Sequence, residues 1–242
     1  MREDLLDAYG AIDWAVSQLP VLEQTFKAWF DAPPYLLVEE PHPEMGKKLF
    51  KLEINRELPA TANAAVGAII NSIRTSLDIL AASLARRNGK SPNADRHFPI
   101  YLSIMGFIDP LEVLERKKWL SERERGIIEG LKPYDGGHDL LFPLHQLDIV
   151  RKHDRLIRAK LVPSMVTVSP EVHRQGLEFP AAWPGFEDGA VIAWTNIDAT
   201  ESDFHIAAEV AFNETKLIGD RPVGTTLRQF AGAANSIIQL FE

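Results

Sequence analysis

The run from Pro59 to Arg87 constrains this chain most. It reads ATANAAVGAIINSIRTSLDILAASLARR between Pro59 and the pair Asn88-Gly89, and no proline interrupts it. Pro59 and Thr61 suit the first turn of a helix, and Asn88-Gly89 suits its end. The spacing predicts one helix over 61–87. At 100° per residue, Val66, Ile69, Ile70, Ile73, Leu77, Leu80 and Leu84 collect on one side. That side must be core. Asn71, Arg74, Thr75 and Asp78 collect on the other, among Ala64, Gly67, Ala81, Ala82 and Ala85. A solvated face would carry Lys, Glu and Gln instead. Small residues admit a close neighbour, so this stripe is expected to face a second helix or another subunit. Arg74 and Asp78 stand at i and i+4 and can bond to each other.

Other segments follow simpler patterns. Residues 3–31 carry apolar residues at helical spacing, with Pro20 expected to kink or split the run. "YLLVEE" (35–40) and "KKLFKLEINREL" (47–58) read as a hairpin, because Phe50, Leu52 and Ile54 alternate with polar residues. Residues 110–131 and 140–158 read as helices. In the first, Leu111, Leu114, Trp119 and Ile127 point inward from a solvated mixture of charges. The segments 159–168, 176–179, 189–196 and 203–214 are short and β-rich, and 225–241 is a closing helix with an apolar stripe. The expected class is α+β, with helices packed beside an antiparallel sheet made of the early hairpin plus the C-terminal strands, and a C-terminal helix. One domain over 1–242 is the expected division. The alternative is a mainly helical part (1–158) and a β-rich part with a final helix (159–242).

Composition closes off several functions. The chain has 242 residues and no cysteine, which removes disulfides, thiolate nucleophiles and cysteine-ligated metals. The net charge of −8 argues against a general nucleic-acid binder, while leaving room for a local basic patch. "MREDLLDAYG" lacks the apolar centre of a signal peptide, and the apolar stretch Ala62–Ile70 is too short to span a bilayer. A soluble cytoplasmic protein without membrane contact is expected. P-loop, G-x-G-x-x-G, G-x-S-x-G and H-E-x-x-H patterns are missing, so no cofactor or metal is expected. His145 and His153 are eight apart and cannot clamp one ion unaided. "DGGHD" (135–139) reads as a plain turn, His97 as a surface loop residue, and Trp183 and Trp194 as core or sheet-face residues.

The helix 140–158 repeats the puzzle of 61–87. Its wheel puts Arg151, Asp154, Arg155 and Arg158 outward. His145, Asp148, Lys152 and His153 border the side of Ile149, Leu156 and Ile157. A carboxylate near a histidine holds its tautomer and raises its pKa, as an acid/base site requires. His145, Asp148, His153 and Asp78 are therefore the catalytic candidates, and Asn71, Arg74 and Lys152 the binding candidates. The competing expectation is a buried polar network, paired for structural reasons or for self-association.

At these two helices the sequence resembles an uncharacterised family of bacterial proteins. Its pattern is a helix N-x-x-R-S-A-L-D-H-L, a later F-P-I, and a helix ending in a D-K-H-R-like run. The matches are Asn71, Arg74, Ser76, Leu77 and Asp78, then Phe98-Pro99-Ile100, then Lys152-His153 with Arg155 near. They cover about residues 60–158, and the β-rich tail also looks similar. The resemblance implies no established activity. In the family form, an Arg and a His with four residues between them resemble the R-x4–6-H signature of HEPN-type RNases. Here Ile79 stands where the family has that histidine, Arg151 stands where it has an Asp, and no Arg has a His five to seven positions later. The function expected first is binding or assembly through a buried polar network between helices 61–87 and 140–158. The second is a hydrolase or HEPN-like RNase using the same groups.

Overall fold

A computed structural model describes residues 2–42, 46–90, 97–109, 118–168, 178–181, 186–195, 204–214 and 216–242. The expected positions Leu111, Leu114 and Trp183 lie outside these residues. Four long helices form the body: α1 (Leu6–Phe30), α2 (Ala60–Arg87), α5 (Leu141–His153) and α6 (Val223–Gln239). Between α2 and α5 the described residues hold two shorter ones, α3 (Ile104–Ile108) and α4 (Glu122–Leu131). The strands are β1 (Tyr35–Pro41), β2 (Lys48–Ile54), β3 (Ala159–Val168), β4 (Val191–Thr195) and β5 (Phe204–Phe212).

The class is α+β, with antiparallel strands beside helices and a helix at the C-terminal end. The hairpin β1–β2 takes β4 as its third strand, giving the order β1-β2-β4. β3 and β5 pair separately, with a bulge where Pro163 has no N–H to offer the ladder. The two sheets meet through Leu52, Ile192 and Ile206, and the Tyr35 hydroxyl donates to the Ile206 carbonyl at 2.7 Å.

α2 lies at the centre. Its aliphatic face packs on α1, and α6 and α5 flank it. By length and composition it could cross a bilayer, which the stretch Ala62–Ile70 alone did not suggest. Here that apolarity serves the core, where Val66, Ile69, Ile70, Ile73, Leu77, Leu80 and Leu84 are all buried.

Three expectations change. α1 runs unbroken through Pro20, which sits on its solvent side, because Ala15 and Leu19 before it and Leu22 and Phe26 after it are buried in the main core. The charged helix expected over 110–131 is not continuous: 118–121 are non-helical, α4 starts at Glu122 where Ser121 and Glu124 form a capping box, and 110–117 lie outside the described residues. α5 ends at His153 rather than 158. Beyond it Arg155 turns to Glu214, at 2.6 and 2.8 Å, and Arg158 N donates to the same carboxylate at 3.2 Å. That turn launches β3. Leu156 is left exposed while Ile157 is buried.

Candidate functional site

The polar stripe of α2 meets two neighbours, α5 and the extended segment 97–101. Arg74 is only 2 % exposed, and three of its nitrogens donate inside the protein. Nη1 reaches Asp78 Oδ1 at 2.5 Å, Nη2 reaches the Phe98 carbonyl at 3.3 Å, and Nε reaches His145 Nδ1 at 3.3 Å. Asp78 Oδ1 also accepts the Phe98 N–H at 2.8 Å. Arg74 and Asp78 thus grip one residue, Phe98, by its carbonyl and its amide. This fixes Phe98, Ile100 and Tyr101, all buried, against the core. Tyr101 N then donates to Pro133 O at 2.8 Å, tying the segment to the loop before α5.

The second part of the network links α5 to α2. Asp148 is 3 % exposed, with Lys152 Nζ at 2.5 Å and Arg151 Nε at 3.4 Å. Arg151 in turn donates to Asn71 Oδ1 at 2.7 Å. Its aliphatic carbons lie where a side chain on Gly67 would stand, 2.9 Å from an ideal Cβ. Gly67 therefore admits Arg151, and the small-residue face of α2 does receive a helix. Arg151 was expected outward, but it points toward α2.

His145 departs from the acid/base expectation. It bonds Arg74, not Asp148. Because Arg74 can only donate, His145 Nδ1 is the acceptor and the neutral ring carries its proton on Nε2. Burial pushes His145 down, the Arg74 charge adds to this, and Asp78 and Asp148 oppose it; the result is about 4. A base so weak stays neutral at physiological pH. His153 is exposed at the end of α5, away from the network, and Lys152 is committed to Asp148.

Of the seven candidates, Asn71, Arg74, Asp78, His145, Asp148 and Lys152 come together and His153 does not. Three residues outside that set matter as well. His97 Nδ1 lies 3.2 Å from Asp78 Oδ2, on an imidazole whose side chain is 66 % exposed. Glu214, buried at the start of the β5–α6 turn, anchors Arg155. Burial raises it, but the Arg155 hydrogen bonds and charge outweigh that and hold it below the usual carboxylate range. His138 accepts from Leu140 N and Leu141 N at 3.3 and 3.4 Å, so the "DGGHD" turn also caps α5. His97 had one signal in the sequence, its position next to Phe98-Pro99-Ile100. Glu214 had none, since its partner is 59 residues away.

A cleft of about 480 Å³ runs between α1 and α6 and is lined by Ile12, Val16, Leu19 and Ala231 together with Asp13 and Arg228. Among the described residues no three His, Asp or Glu side chains are grouped as metal ligands would be. Comparison with protein-family models, curated proteins and solved structures finds no match for the chain.

Proposed function

We propose that this protein acts in the cytoplasm by binding or assembly, with the Arg74–Asp148 network as an internal framework. The observation behind this reading is the state of Arg74: buried, with donors spent on Asp78, His145 and the Phe98 carbonyl. Such a cation has no free face for a substrate. Asp148 is closed off in the same way by Lys152 and Arg151. Buried charges satisfied on all sides serve architecture unless something opens them.

Self-association is the assembly the surface supports. α1 exposes Trp14, Val16 and Val21, and Val16 also lines the groove that α1 shares with α6. Exposed apolar surface of this kind commonly marks contact sites. Sedimentation velocity of the full chain tests the reading. A dimer or larger species at micromolar concentration is the expected result, and Trp14→Glu should shift it toward monomer. A monomer throughout the range would count against it.

A hydrolase or HEPN-like RNase is the second reading. One observation favours it: a carboxylate held rigid by Arg74 and Phe98 turns its other oxygen to an exposed histidine.

A further inference from the structure

We infer that His97 and Asp78 form an accessible acid–base dyad, suited to hydrolysing an uncharged carboxylic ester. Asp78 Oδ1 is anchored by Arg74 Nη1 and the Phe98 N–H, so the carboxylate cannot swing. Its free oxygen, Oδ2, faces His97 Nδ1 at 3.2 Å. An ionised carboxylate only accepts hydrogen bonds, so Nδ1 carries the proton. Nε2 is then the ring's open lone pair, on a side chain two-thirds exposed. A base orients a water molecule this way, and the orienting carboxylate steadies the imidazolium that forms.

The class of substrate follows from charge. Among the described residues, the cation bonded to this pair is Arg74, and its donors are spent inward. A phosphodiester would bring negative charge to a protein of net charge −8, and among the described residues the one cation bonded to this pair is turned inward. A neutral acyl group carries no such cost. The segment bearing His97 also continues into exposed Leu102 and Met105, which offer apolar contacts.

The step balances without a co-reactant. His97 Nε2 takes a proton from water as the water oxygen bonds to the ester carbonyl carbon. The adduct then breaks its bond to the alcohol oxygen, which leaves with the proton from Nε2. An acid and an alcohol remain, and His97 is restored. Asp78 is the positioning residue.

This inference goes beyond the framework reading and does not depend on it, because His97 lies on the surface. The test uses the full chain and p-nitrophenyl butyrate. His97→Asn should keep the hydrogen bond to Asp78 and the wild-type melting curve, and lower the hydrolysis rate on the order of 100-fold. In parallel, diethyl pyrocarbonate is applied to the wild-type chain and modification is read peptide by peptide. His97 should be carbethoxylated several-fold faster than exposed His153, and Asp78→Asn should remove that lead. If His97→Asn does not fold, the ratio of His97 to His153 modification decides. Hydrolysis no faster than buffer, a His97→Asn variant at the wild-type rate, or equal modification of the two histidines would each overturn the inference.

Discussion

Arg74 explains why an aliphatic helix carries charge. It sits where a cation is costly and is kept there by Asp78, His145 and the Phe98 carbonyl. Arg74→Ala leaves Asp78 without its cation and the Phe98 carbonyl without its donor. The loss should be about 3–5 kcal/mol, read by urea denaturation with an unchanged slope. His145 gives a pH signature. Its folded pKa, about 4, lies below its unfolded value of 6.5, so the unfolded chain binds the proton first. The stability from neutral His145 is therefore complete above pH 6.5 and is lost as pH falls from 6.5 toward 4. The slope from this group is at most about 1.4 kcal/mol per pH unit. The groups acting on it are Arg74, Asp78, Asp148 and Lys152. Denaturation midpoints of wild type and His145→Gln across pH 4–7 check this; the variant should show the shallower dependence. The sequence pointed to Arg74, Asp78 and His145 by periodicity and to the Arg74–Asp78 pair by its i,i+4 spacing, but not to the bond between Arg74 and His145. Helical spacing puts His145 three residues from Asp148, yet a donor on another helix took its Nδ1.

Helices were legible where one period governed a long run. α2 and α6 fall within two residues of their expected limits. α5 was overextended because Leu156 and Ile157 fit the helical period, while the pull of Glu214 on Arg155 comes from the distant turn after β5. α1 is the opposite case. Local chemistry predicted a break at Pro20, and packing in the main core kept the helix whole. The missing N–H still costs one hydrogen bond to Val16 O. Pro20→Ala, at an exposed position, should therefore stabilise the protein by about 1–3 kcal/mol, seen as a raised melting temperature. The α2–α5 contact depends on Gly67 in a comparable way. Gly67→Ala would put a methyl 2.9 Å from Arg151 Cγ and Cδ. Arg151 must then leave Asn71, and the cost should be about 1 kcal/mol despite alanine's better helix propensity. A double-mutant cycle with Asn71→Ala checks the cause: the two losses should not add.

The choice between one unit and two was not legible from composition, because helices and strands do segregate along the chain. The main core ignores that division. Leu5, Tyr9, Ile12 and Leu19 of the first half pack in one cluster with Val210, Phe212, Leu227, Phe230, Ile238 and Phe241 of the second. Tyr9 also donates to Glu242 at 2.9 Å, and Arg87 binds both Asp4 and the Phe241 carbonyl. A fragment of residues 1–158 would thus lose α6 from the side of α1 and α2 and leave that apolar surface to water. At roughly 25 cal/mol per Å² of apolar surface, no fragment of ordinary marginal stability tolerates such a loss. The fragment should show helical circular dichroism but no cooperative melt. The full chain should unfold in one transition, followed equally by far-ultraviolet circular dichroism and by tryptophan fluorescence. Trp29 and Trp119 report the helical half and Trp194 the sheet, so two separate units would make the two signals diverge.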